Sequence, residues 1–229
     1  MSRLPVAILA GGMGTRLYPV TERMPKALVE VNGEPFLAHQ LRLLRAGGIE
    51  RVVLCIGRHG ERIREFADDG AQFGLAIDYS CDGPVLLGTA GAVRNALPLL
   101  GGAFFVLYGD SYLPCSYSDV EQAFRAAGQA GLMTVYRNQG RWDTSNVEYA
   151  QGRIVAYDKK NRTPRMQYID YGLGVFSARA FTHTQQSDLA GLYQELLGRG
   201  ELAACEVHER FYETGSFEGI RELAEYLKS

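Results

Sequence analysis

Three glycines and an arginine stand directly after the first apolar segment of the sequence. Val6–Ala10 has the length of a short strand, and it is followed by Gly11, Gly12 and Gly14 and then by Arg16. Glycines allow backbone N–H groups to approach phosphate oxygens, and a guanidinium can bind a phosphate through two parallel hydrogen bonds. The loop is therefore either a phosphate-binding site or a tight turn that carries a solvated arginine.

Two better-known glycine motifs do not fit this loop. The dinucleotide-binding pattern G-x-G-x-x-G needs a third glycine where Leu17 stands, and the pattern G-x-x-x-x-G-K-[ST] has no match here. The nucleophile pattern G-x-S-x-G is also absent from the chain. These mismatches disfavour a dinucleotide-dependent oxidoreductase and an α/β-hydrolase.

A carboxylate follows another strand-like segment. The apolar run Ala103–Tyr108 ends in Gly109-Asp110. Because the carboxyl ends of parallel strands meet at one edge of a sheet, we expect Asp110 to lie on the same edge as the glycine loop. A carboxylate at this position either caps the next turn or contributes a hard oxygen ligand for a cation.

Histidine and cysteine chemistry has little support. The four histidines show neither an i, i+4 pair nor a metal-ligand spacing, and the four cysteines include no Cys-x-x-Cys pair. They are His39, His59, His183 and His208, and Cys55, Cys81, Cys115 and Cys205. We interpret all eight as core or surface residues.

Strand-like and helix-like segments alternate along the chain. The predicted strands are Val6–Ala10, Arg51–Ile56, Ala103–Tyr108 and Leu132–Tyr136, then a hairpin of 146–149 with 153–157, and finally 168–176. The predicted helices are 35–46, 61–73, one opening at about residue 88 and ending near Leu100, 187–197 and 217–228. This order predicts an α/β fold: a mostly parallel sheet with helices on both faces and a mixed-sheet insertion in the second half.

Composition excludes several classes of protein. The 229 residues carry 24 Lys and Arg against 26 Asp and Glu, a net charge of −2, so an electrostatic nucleic-acid or membrane-surface binder is disfavoured. No apolar run approaches the ~20 residues of a membrane span, and the N-terminus lacks a signal-peptide profile. We expect a cytoplasmic protein with one domain over residues 1–229.

The sequence around the glycine loop resembles a known signature. Leu9-Ala-Gly-Gly-Met-Gly-Thr-Arg-Leu17, followed by Pro19, Thr21 and Pro25-Lys26, is similar to the signature of the sugar-1-phosphate nucleotidyltransferases. The resemblance implies a Rossmann-like, doubly wound fold of the nucleotide-diphospho-sugar transferase type. It also implies catalytic roles for Arg16 and Lys26 and nucleotide binding by Leu9, Ala10, Gly11, Gly12, Gly14, Thr15 and Arg16.

The same resemblance assigns the remaining site residues. Gly88 and Thr89, in a Leu-Gly-Thr-Ala-Gly segment, would lie beside the nucleobase, and Asp110 would serve both nucleotide and metal. Glu213, where the family has an aspartate followed by one residue and then Gly-Thr or Gly-Ser, would be the second ligand of Mg²⁺. The sugar phosphate would be bound by Asn146, Asp158, Lys159, Asp170 and Gly172, with Lys160 as a competing choice for the lysine.

The resemblance implies a reaction between a nucleoside triphosphate and a sugar 1-phosphate. We expect guanylyl transfer to a mannose- or heptose-type sugar 1-phosphate, and uridylyl transfer to a sugar such as N-acetylmuramate 1-phosphate is the alternative. A catalytically silent nucleotide-sugar sensor is a further alternative. We expect a monomer or homodimer, a nucleotide-binding half of about residues 1–115 and a sugar-binding half of about 116–229. Because only Ser229 follows the last predicted helix, we also expect a single activity.

Overall fold

The computed structural model describes residues 3–12 and 14–228, without the side chain of Thr15. The strands are β1 Val6–Leu9, β2 Glu30–Val31, β3 Glu34–Pro35, β4 Arg51–Ile56, β5 Ala76–Cys81, β6 Ala103–Tyr108, β7 Ser111–Tyr112, β8 Gly131–Tyr136, β9 Val147–Ala150, β10 Arg153–Tyr157, β11 Ile169–Ser177, β12 Leu202–Val207 and β13 Tyr212–Glu213. The helices are α1 Phe36–Ala46, α2 Gly60–Ala67, α3 Thr89–Leu100, α4 Tyr117–Ala127, α5 Leu189–Gly198 and α6 Phe217–Tyr226.

A seven-stranded sheet forms the centre of the molecule. Its strand order is β12-β8-β11-β6-β1-β4-β5, and β11 runs antiparallel to both of its neighbours. The other neighbouring pairs in this sheet are parallel. The predicted doubly wound, mostly parallel sheet is therefore confirmed.

Helices cover both faces of the sheet, and successive strand residues, which point to opposite sides, therefore join two different cores. In β1, Val6 and Ile8 join a core with α1, α2 and α4, whereas Ala7 joins a second core with α3 and α5. Each buried Val, Ile or Leu contributes roughly 1.5–3 kcal/mol relative to exposure. This two-sided burial explains why the sheet strands are continuous apolar runs with little polar alternation.

The loops that follow four parallel strands lie in a row at one edge. In spatial order, β6, β1, β4 and β5 are followed by Asp110, the glycine loop, Gly57 and Asp82. Three strand spacings of ~4.8 Å separate the two outer strand ends by roughly 14 Å. The topology thus provides a long, shallow edge on which a ligand could lie across the strand ends.

The predicted helix over residues 61–73 is too long. The observed α2 ends at Ala67, because Asp68 and Gly70 have positive φ angles, of 47° and 86°, which do not continue a right-handed helix. Phe73 continues the apolar period and packs against Phe66 at 5.9 Å between ring centroids, but it does so from a separate short turn of 3₁₀ helix. Side-chain periodicity alone did not reveal this break.

Other local predictions have mixed outcomes. The hairpin of β9 and β10 is confirmed, and Gln151 and Gly152 at its turn have φ of 50° and 77°, which is typical of a two-residue hairpin loop. The elements β5, α4 and β12 were not predicted. Within the part of the chain that the structure describes, no helix is both long and apolar enough to span a bilayer.

Gly109 allows β6 to lie against the end of β1. A Cβ atom at this position would be 2.6 Å from the carbonyl oxygen of Leu9 and 3.0 Å from Cα of Ala10. The Gly109 N–H donates to the same Leu9 oxygen at 3.0 Å. Because both obstacles are backbone atoms, the strand ends would have to separate to admit a side chain.

We predict that Gly109→Ala lowers the free energy of unfolding by about 1–3 kcal/mol through this overpacking. Urea denaturation measures the change. Gly102→Ala is the matched control, because a Cβ at Gly102 has no atom within 4 Å. Equal stability of the two variants would contradict the account of the close approach.

Candidate functional site

A cleft of about 340 Å³ opens at this edge of the sheet. Its lining includes ten of the residues predicted for the nucleotide and the catalytic cations: Leu9, Ala10, Gly11, Gly12, Gly14, Arg16, Lys26, Gly88, Thr89 and Asp110. It also includes Asp82, Leu86 and Gly215, which were not predicted. Met13 and the side chain of Thr15, the remaining parts of the predicted loop, lie outside the described structure.

The glycine loop is held by a residue of its own motif. Gly14 has a φ of 60°, and its carbonyl oxygen accepts a hydrogen bond from the hydroxyl of Thr21 at 2.8 Å. A Cβ at Gly14 would lie 2.9 Å from Cγ2 of Thr21 and 3.2 Å from Cβ of Lys26. The spacing of Gly14, Thr21 and Lys26 in the signature therefore has a packing reason.

Two cations meet at one end of the cleft. The Lys26 ammonium forms an ion pair with the Asp110 carboxylate, and both side chains remain partly accessible. A Cβ at Gly215 would lie 2.8 Å from Nη2 of Arg16 and 3.3 Å from Nζ of Lys26. The glycine at position 215 thus leaves room for both cationic side chains, which could bind an anion here.

The turn that carries Asp110 is fixed from two sides. Gln40 of α1 is fully buried, and its Nε2 donates to the carbonyl oxygens of Tyr108 at 3.0 Å and Ser111 at 2.7 Å. The N–H of Thr214 donates to the carbonyl oxygen of Asp110 at 2.8 Å. Gln40 was missed from the sequence, although a glutamine on the apolar face of a helix is a signal that could have identified it.

Glu213 lies close to Asp110, the other residue predicted to bind Mg²⁺. Its role as a metal ligand stays a prediction. The short strands β13 and β7 pair Glu213 with Ser111. Burial, then the charges of Asp110 and Asp143, raise the pKa of Glu213 to about 7, while Lys26 and Arg16 oppose the shift. Within residues 3–12 and 14–228, no three His, Cys, Asp or Glu side chains gather closely enough to hold a metal by themselves.

Gly88 and Thr89 line the cleft but also pack against a distant segment. A Cβ at Gly88 would lie 2.3 Å from the carbonyl oxygen of Ser187, and the Thr89 hydroxyl accepts a hydrogen bond from the N–H of Leu189 at 2.8 Å. Gly88 also has a φ of 76°. These contacts account for the glycine and for one function of the threonine without a ligand.

Asp82 lines the cleft, although the sequence assigned it no role. Its Oδ2 accepts a hydrogen bond from the N–H of Leu87 at 3.4 Å. Burial raises the pKa of the Asp82 carboxyl, and the hydrogen bond from Leu87 opposes that shift. The sequence signal was a carboxylate directly after β5, the same signal that identified Asp110 after β6.

A second group of predicted residues lies next to the cleft, around Tyr108. The Asp170 carboxylate is almost fully buried, and Lys159 Nζ lies 3.6 Å from its Oδ2. The Tyr157 hydroxyl donates to Oδ2 at 3.3 Å and the Gly172 N–H donates to Oδ1 at 3.1 Å. Lys159 Nζ also lies 5.6 Å from the centroid of the Tyr108 ring, two residues before Asp110.

The charges around Tyr108 connect the two groups. Its pKa is raised first by burial and then by the carboxylates of Asp170, Asp110, Asp188 and Glu213. The Tyr108 ring lines the cleft two residues before Asp110, and Lys159, which lies beside this ring, pairs with Asp170. The predicted sugar side and the predicted metal side are therefore neighbours.

Asn146 and Asp158 are placed differently from one another. Oδ1 of Asn146 accepts a hydrogen bond from the N–H of Asp170 at 2.9 Å, so Asn146 supports the Asp170 cluster. Oδ1 of Asp158 accepts from the N–H groups of Lys160 and Asn161 at 2.7 and 2.9 Å, and these bonds lower its pKa. The carboxylate of Asp158 thus holds its own turn, and the structure does not bring it into the cluster.

The sequence and fold are similar to those of known proteins. Residues 6–225 match the family model for the nucleotidyl transferases. The inositol-1-phosphate CTP transferase of T. maritima, a solved structure, superposes with a TM-score of 0.78 at 21% identity, covering 100% of this chain and 98% of that one. At this identity the superposition supports the fold alone.

Curated relatives cover three different nucleotides. Glucose-1-phosphate thymidylyltransferase of Streptomyces antibioticus is 33% identical over 174 residues, which is 74% of this chain and 48% of that protein. N-acetylmuramate alpha-1-phosphate uridylyltransferase of Neisseria meningitidis serogroup B is 39% identical over 104 residues, 45% of each chain. Mannose-1-phosphate guanyltransferase beta-B of Xenopus laevis is 27% identical over 217 residues, 91% of this chain and 60% of that protein.

The chain spans about half the length of the curated relatives it matches. The family match nevertheless runs through nearly all of its own residues, from β1 to the last helix. As the signature around the glycine loop predicted, the chain belongs to the nucleotidyl transferase family, and the three relatives named above are sugar-1-phosphate nucleotidyltransferases.

Proposed function

We propose that this chain transfers a nucleoside monophosphate from a nucleoside triphosphate to a sugar 1-phosphate, releasing pyrophosphate. The observation that carries the proposal is the position of Arg16 and Lys26 around Gly215 at one end of the cleft, beside Asp110. The Lys159–Asp170 pair lies close by, across the Tyr108 ring. Arg16 and Lys26 in one place and Lys159 in the other could each bind a phosphate, which suits a reaction with two phosphate-bearing substrates.

The chemistry asks for alignment and charge, with no need for a general base. The attacking group is a phosphate oxygen of the sugar 1-phosphate, which is already an anion at neutral pH, and it displaces pyrophosphate at the α-phosphorus in line. Arg16 and Lys26 would offset the charge that builds on the departing pyrophosphate, and Lys159 would hold the incoming phosphate. The positions of all three cations in or beside the cleft also argue against a silent nucleotide-sugar sensor.

The carboxylates beside Lys26 fit a magnesium ion. Asp110 and Glu213 are hard oxygen donors, and the pKa of Glu213 is raised first by partial burial and then by the neighbouring charges of Asp110 and Asp143, both of which a bound cation would offset. These two residues would hold Mg²⁺, with substrate phosphates and water as its other ligands. When bound, Mg²⁺ would neutralise phosphate charge near the reaction centre.

The choice of nucleobase and sugar is a finer part of the proposal. Guanylyl transfer to a mannose- or heptose-type sugar 1-phosphate is our first candidate, and the mannose-1-phosphate guanyltransferase match supports it. Uridylyl transfer to N-acetylmuramate 1-phosphate is the second candidate, favoured by the 39% identity to the uridylyltransferase. A nucleoside triphosphate substrate also favours the cytoplasmic location expected from the sequence.

The division into two halves is likewise a proposal. Residues 1–115 would bind the nucleotide and residues 116–229 the sugar phosphate, except that Glu213 and Gly215 return from the second half to the nucleotide cleft.

We predict that Arg16→Ala and Lys26→Ala each lower kcat by about 100-fold or more, because each removes a cation aimed at reacting phosphates. Pyrophosphate release from mixtures of nucleoside triphosphates and sugar 1-phosphates measures the change. Thermal unfolding should stay near that of the unmodified chain. Arg153→Ala, which removes an exposed cation beside the hairpin turn of β9 and β10, is the control and should keep full activity. Near-normal turnover of either cleft variant would remove the phosphate-binding assignment.

A matched lysine pair tests the sugar side. Lys159 pairs with Asp170, whereas Lys160 is exposed and donates its backbone N–H to Asp158, whose pKa its charge also lowers. Loss of a charge-assisted hydrogen bond in Lys159→Ala should raise the KM for the sugar 1-phosphate by about tenfold, with the KM for the nucleotide little changed. Lys160→Ala should leave both values unchanged, and the opposite result would transfer the role to Lys160.

Variants that remove the charge of a predicted magnesium ligand, or shorten its side chain, test the two assignments. We expect Asp110→Asn and Glu213→Gln to be severely impaired, because an amide keeps the shape but loses the charge that Mg²⁺ requires. Glu213→Asp, which is one methylene shorter, should keep partial activity with a higher magnesium requirement. Magnesium titrations of turnover distinguish the variants. Normal turnover of Glu213→Gln at limiting magnesium would make Glu213 a structural residue of the β13 turn.

A further inference from the structure

The single tryptophan of the chain lies in the connection between β8 and β9. Residues 138–146 form this connection, the Trp142 loop. The side chain of Asn138 is fully buried and closes the loop: its Nδ2 donates to the carbonyl oxygen of Asp143 at 2.5 Å, and its Oδ1 accepts from the N–H of Trp142 at 3.2 Å. Trp142 itself is 44% exposed. The loop therefore has a defined internal shape, with Trp142 at its outer end.

The last residue of the Trp142 loop reaches the Asp170 cluster. The N–H of Asn146 donates to the carbonyl oxygen of Tyr168 at 2.9 Å, and the Asn146 Oδ1 accepts from the N–H of Asp170 at 2.9 Å. Asp170 in turn pairs with Lys159 across 3.6 Å. A shift of the loop would consequently be transmitted to the lysine proposed to hold the sugar 1-phosphate.

Arg210 holds the outer end of the loop. It belongs to the connection between β12 and β13, and its Cζ lies 3.4 Å from the ring centroid of Trp142 and 4.7 Å from that of Tyr212. Its Nη2 forms an ion pair with Glu222 of α6. A planar guanidinium is attracted to aromatic rings and stacks on them. One arginine thus joins the Trp142 loop to the segment that leads to Glu213.

Stacking is the larger part of this contact. The side chain of Arg210 is 23% exposed, and its buried Nε has no hydrogen-bond partner among the residues that the structure describes. The cost of burying that N–H is offset by the contact of the guanidinium with two rings. A lysine could reproduce the ion pair with Glu222, but an ammonium does not stack as a guanidinium does. The position therefore needs an arginine for its flat face.

We propose that Arg210 is a positioning residue for the sugar 1-phosphate: it fixes the Trp142 loop and, through Asn146, the Asp170–Lys159 pair. It acts through these residues, without contact to the phosphate. The inference rests on the proposed nucleotidyl transfer and adds a residue outside the cleft to it. Among the described residues that line the nucleotide cleft, none belongs to the Trp142 loop, so nucleotide binding should not depend on Arg210.

Fluorescence of the single tryptophan tests the contact in the unliganded chain. Acrylamide reaches an indole more readily once no guanidinium covers its face. Arg210→Gln and Arg210→Lys should therefore each raise the acrylamide quenching constant of Trp142 by about half or more. Arg221→Gln is the matched control, because Arg221 also pairs with a glutamate, Glu218, but lies exposed on α6. Its quenching constant should equal that of the unmodified chain, and an unchanged constant in Arg210→Gln would overturn the proposal.

Pyrophosphate release tests the consequence for the substrate. The sugar is mannose 1-phosphate or N-acetylmuramate 1-phosphate, whichever reacts faster with the unmodified chain. Arg210→Gln and Trp142→Ala should each raise its KM by about threefold to tenfold, because the incoming phosphate loses a fixed partner. The Kd of the nucleoside triphosphate, measured by calorimetry without any sugar 1-phosphate, should change by less than about twofold in both variants.

Conservative variants separate the flat face from the charge. Arg210→Lys should raise the KM as Arg210→Gln does, whereas Trp142→Phe, which keeps an aromatic face, should stay within about twofold of the unmodified KM. A normal KM in Arg210→Lys would reduce the contribution of Arg210 to its charge and overturn the proposal.

A double variant separates positioning from general stability. Because Arg210 and Trp142 act through one contact, Arg210→Gln combined with Trp142→Ala should raise the KM no further than the larger single effect. Effects that multiply would overturn the proposal. So would weaker binding of both substrates together with a lower urea midpoint, which would make Arg210 a structural residue.

The outcomes also separate this inference from the proposed function. The predicted rise in quenching, with no pyrophosphate released for any sugar 1-phosphate tried, supports the contact and counts against nucleotidyl transfer. Pyrophosphate release whose KM for the sugar 1-phosphate is indifferent to Arg210→Gln supports nucleotidyl transfer and overturns the positioning role.

Discussion

The parallel pairing of β1 with both β4 and β6 is the constraint on which the site depends. It brings the loops after these strands to one edge, and the Gly109 backbone lies against Leu9 so closely that no side chain fits between them. The glycine loop and Asp110 then face the same cleft from adjacent strands. The residues that directly follow these strands therefore line the cleft and determine which chemical groups it presents to a ligand.

Charge balance is the second organising feature. Arg16 and Lys26 meet the carboxylates of Asp110 and Glu213 in a partly buried place, where burial first and the Asp110 charge second raise the pKa of Glu213 while the two cations oppose the shift. Gly215 keeps this region open where a larger residue would press on both cations. Such a site gains from a ligand that brings further positive charge together with anionic phosphates, which is the combination that the proposed reaction requires.

The sequence predicted that the glycine loop and Asp110 share one edge of the sheet, and they do, whereas residues that act through tertiary contacts were missed. The glycine loop and Asp110 could be predicted because a strand end and the spacing of glycines can both be recognised from a few consecutive residues. Gln40 and the contact of Ser187 with Gly88 join segments about 70 and 100 residues apart, so no local pattern shows them. Asp158 matched the family pattern, but its carboxylate is already satisfied by the two residues that follow it.

The central claim is that a phosphate oxygen of the sugar 1-phosphate attacks the α-phosphorus of the nucleoside triphosphate and displaces pyrophosphate. The most direct measurement uses sugar 1-phosphate labelled with ¹⁸O in its phosphate oxygens, with the products analysed by ³¹P NMR and mass spectrometry. Attack by a sugar-phosphate oxygen predicts that all of the label stays in the nucleoside-diphosphate sugar and that unlabelled pyrophosphate forms in equal amount. Label in the pyrophosphate, or nucleotide breakdown to orthophosphate that does not depend on the sugar 1-phosphate, would contradict the account.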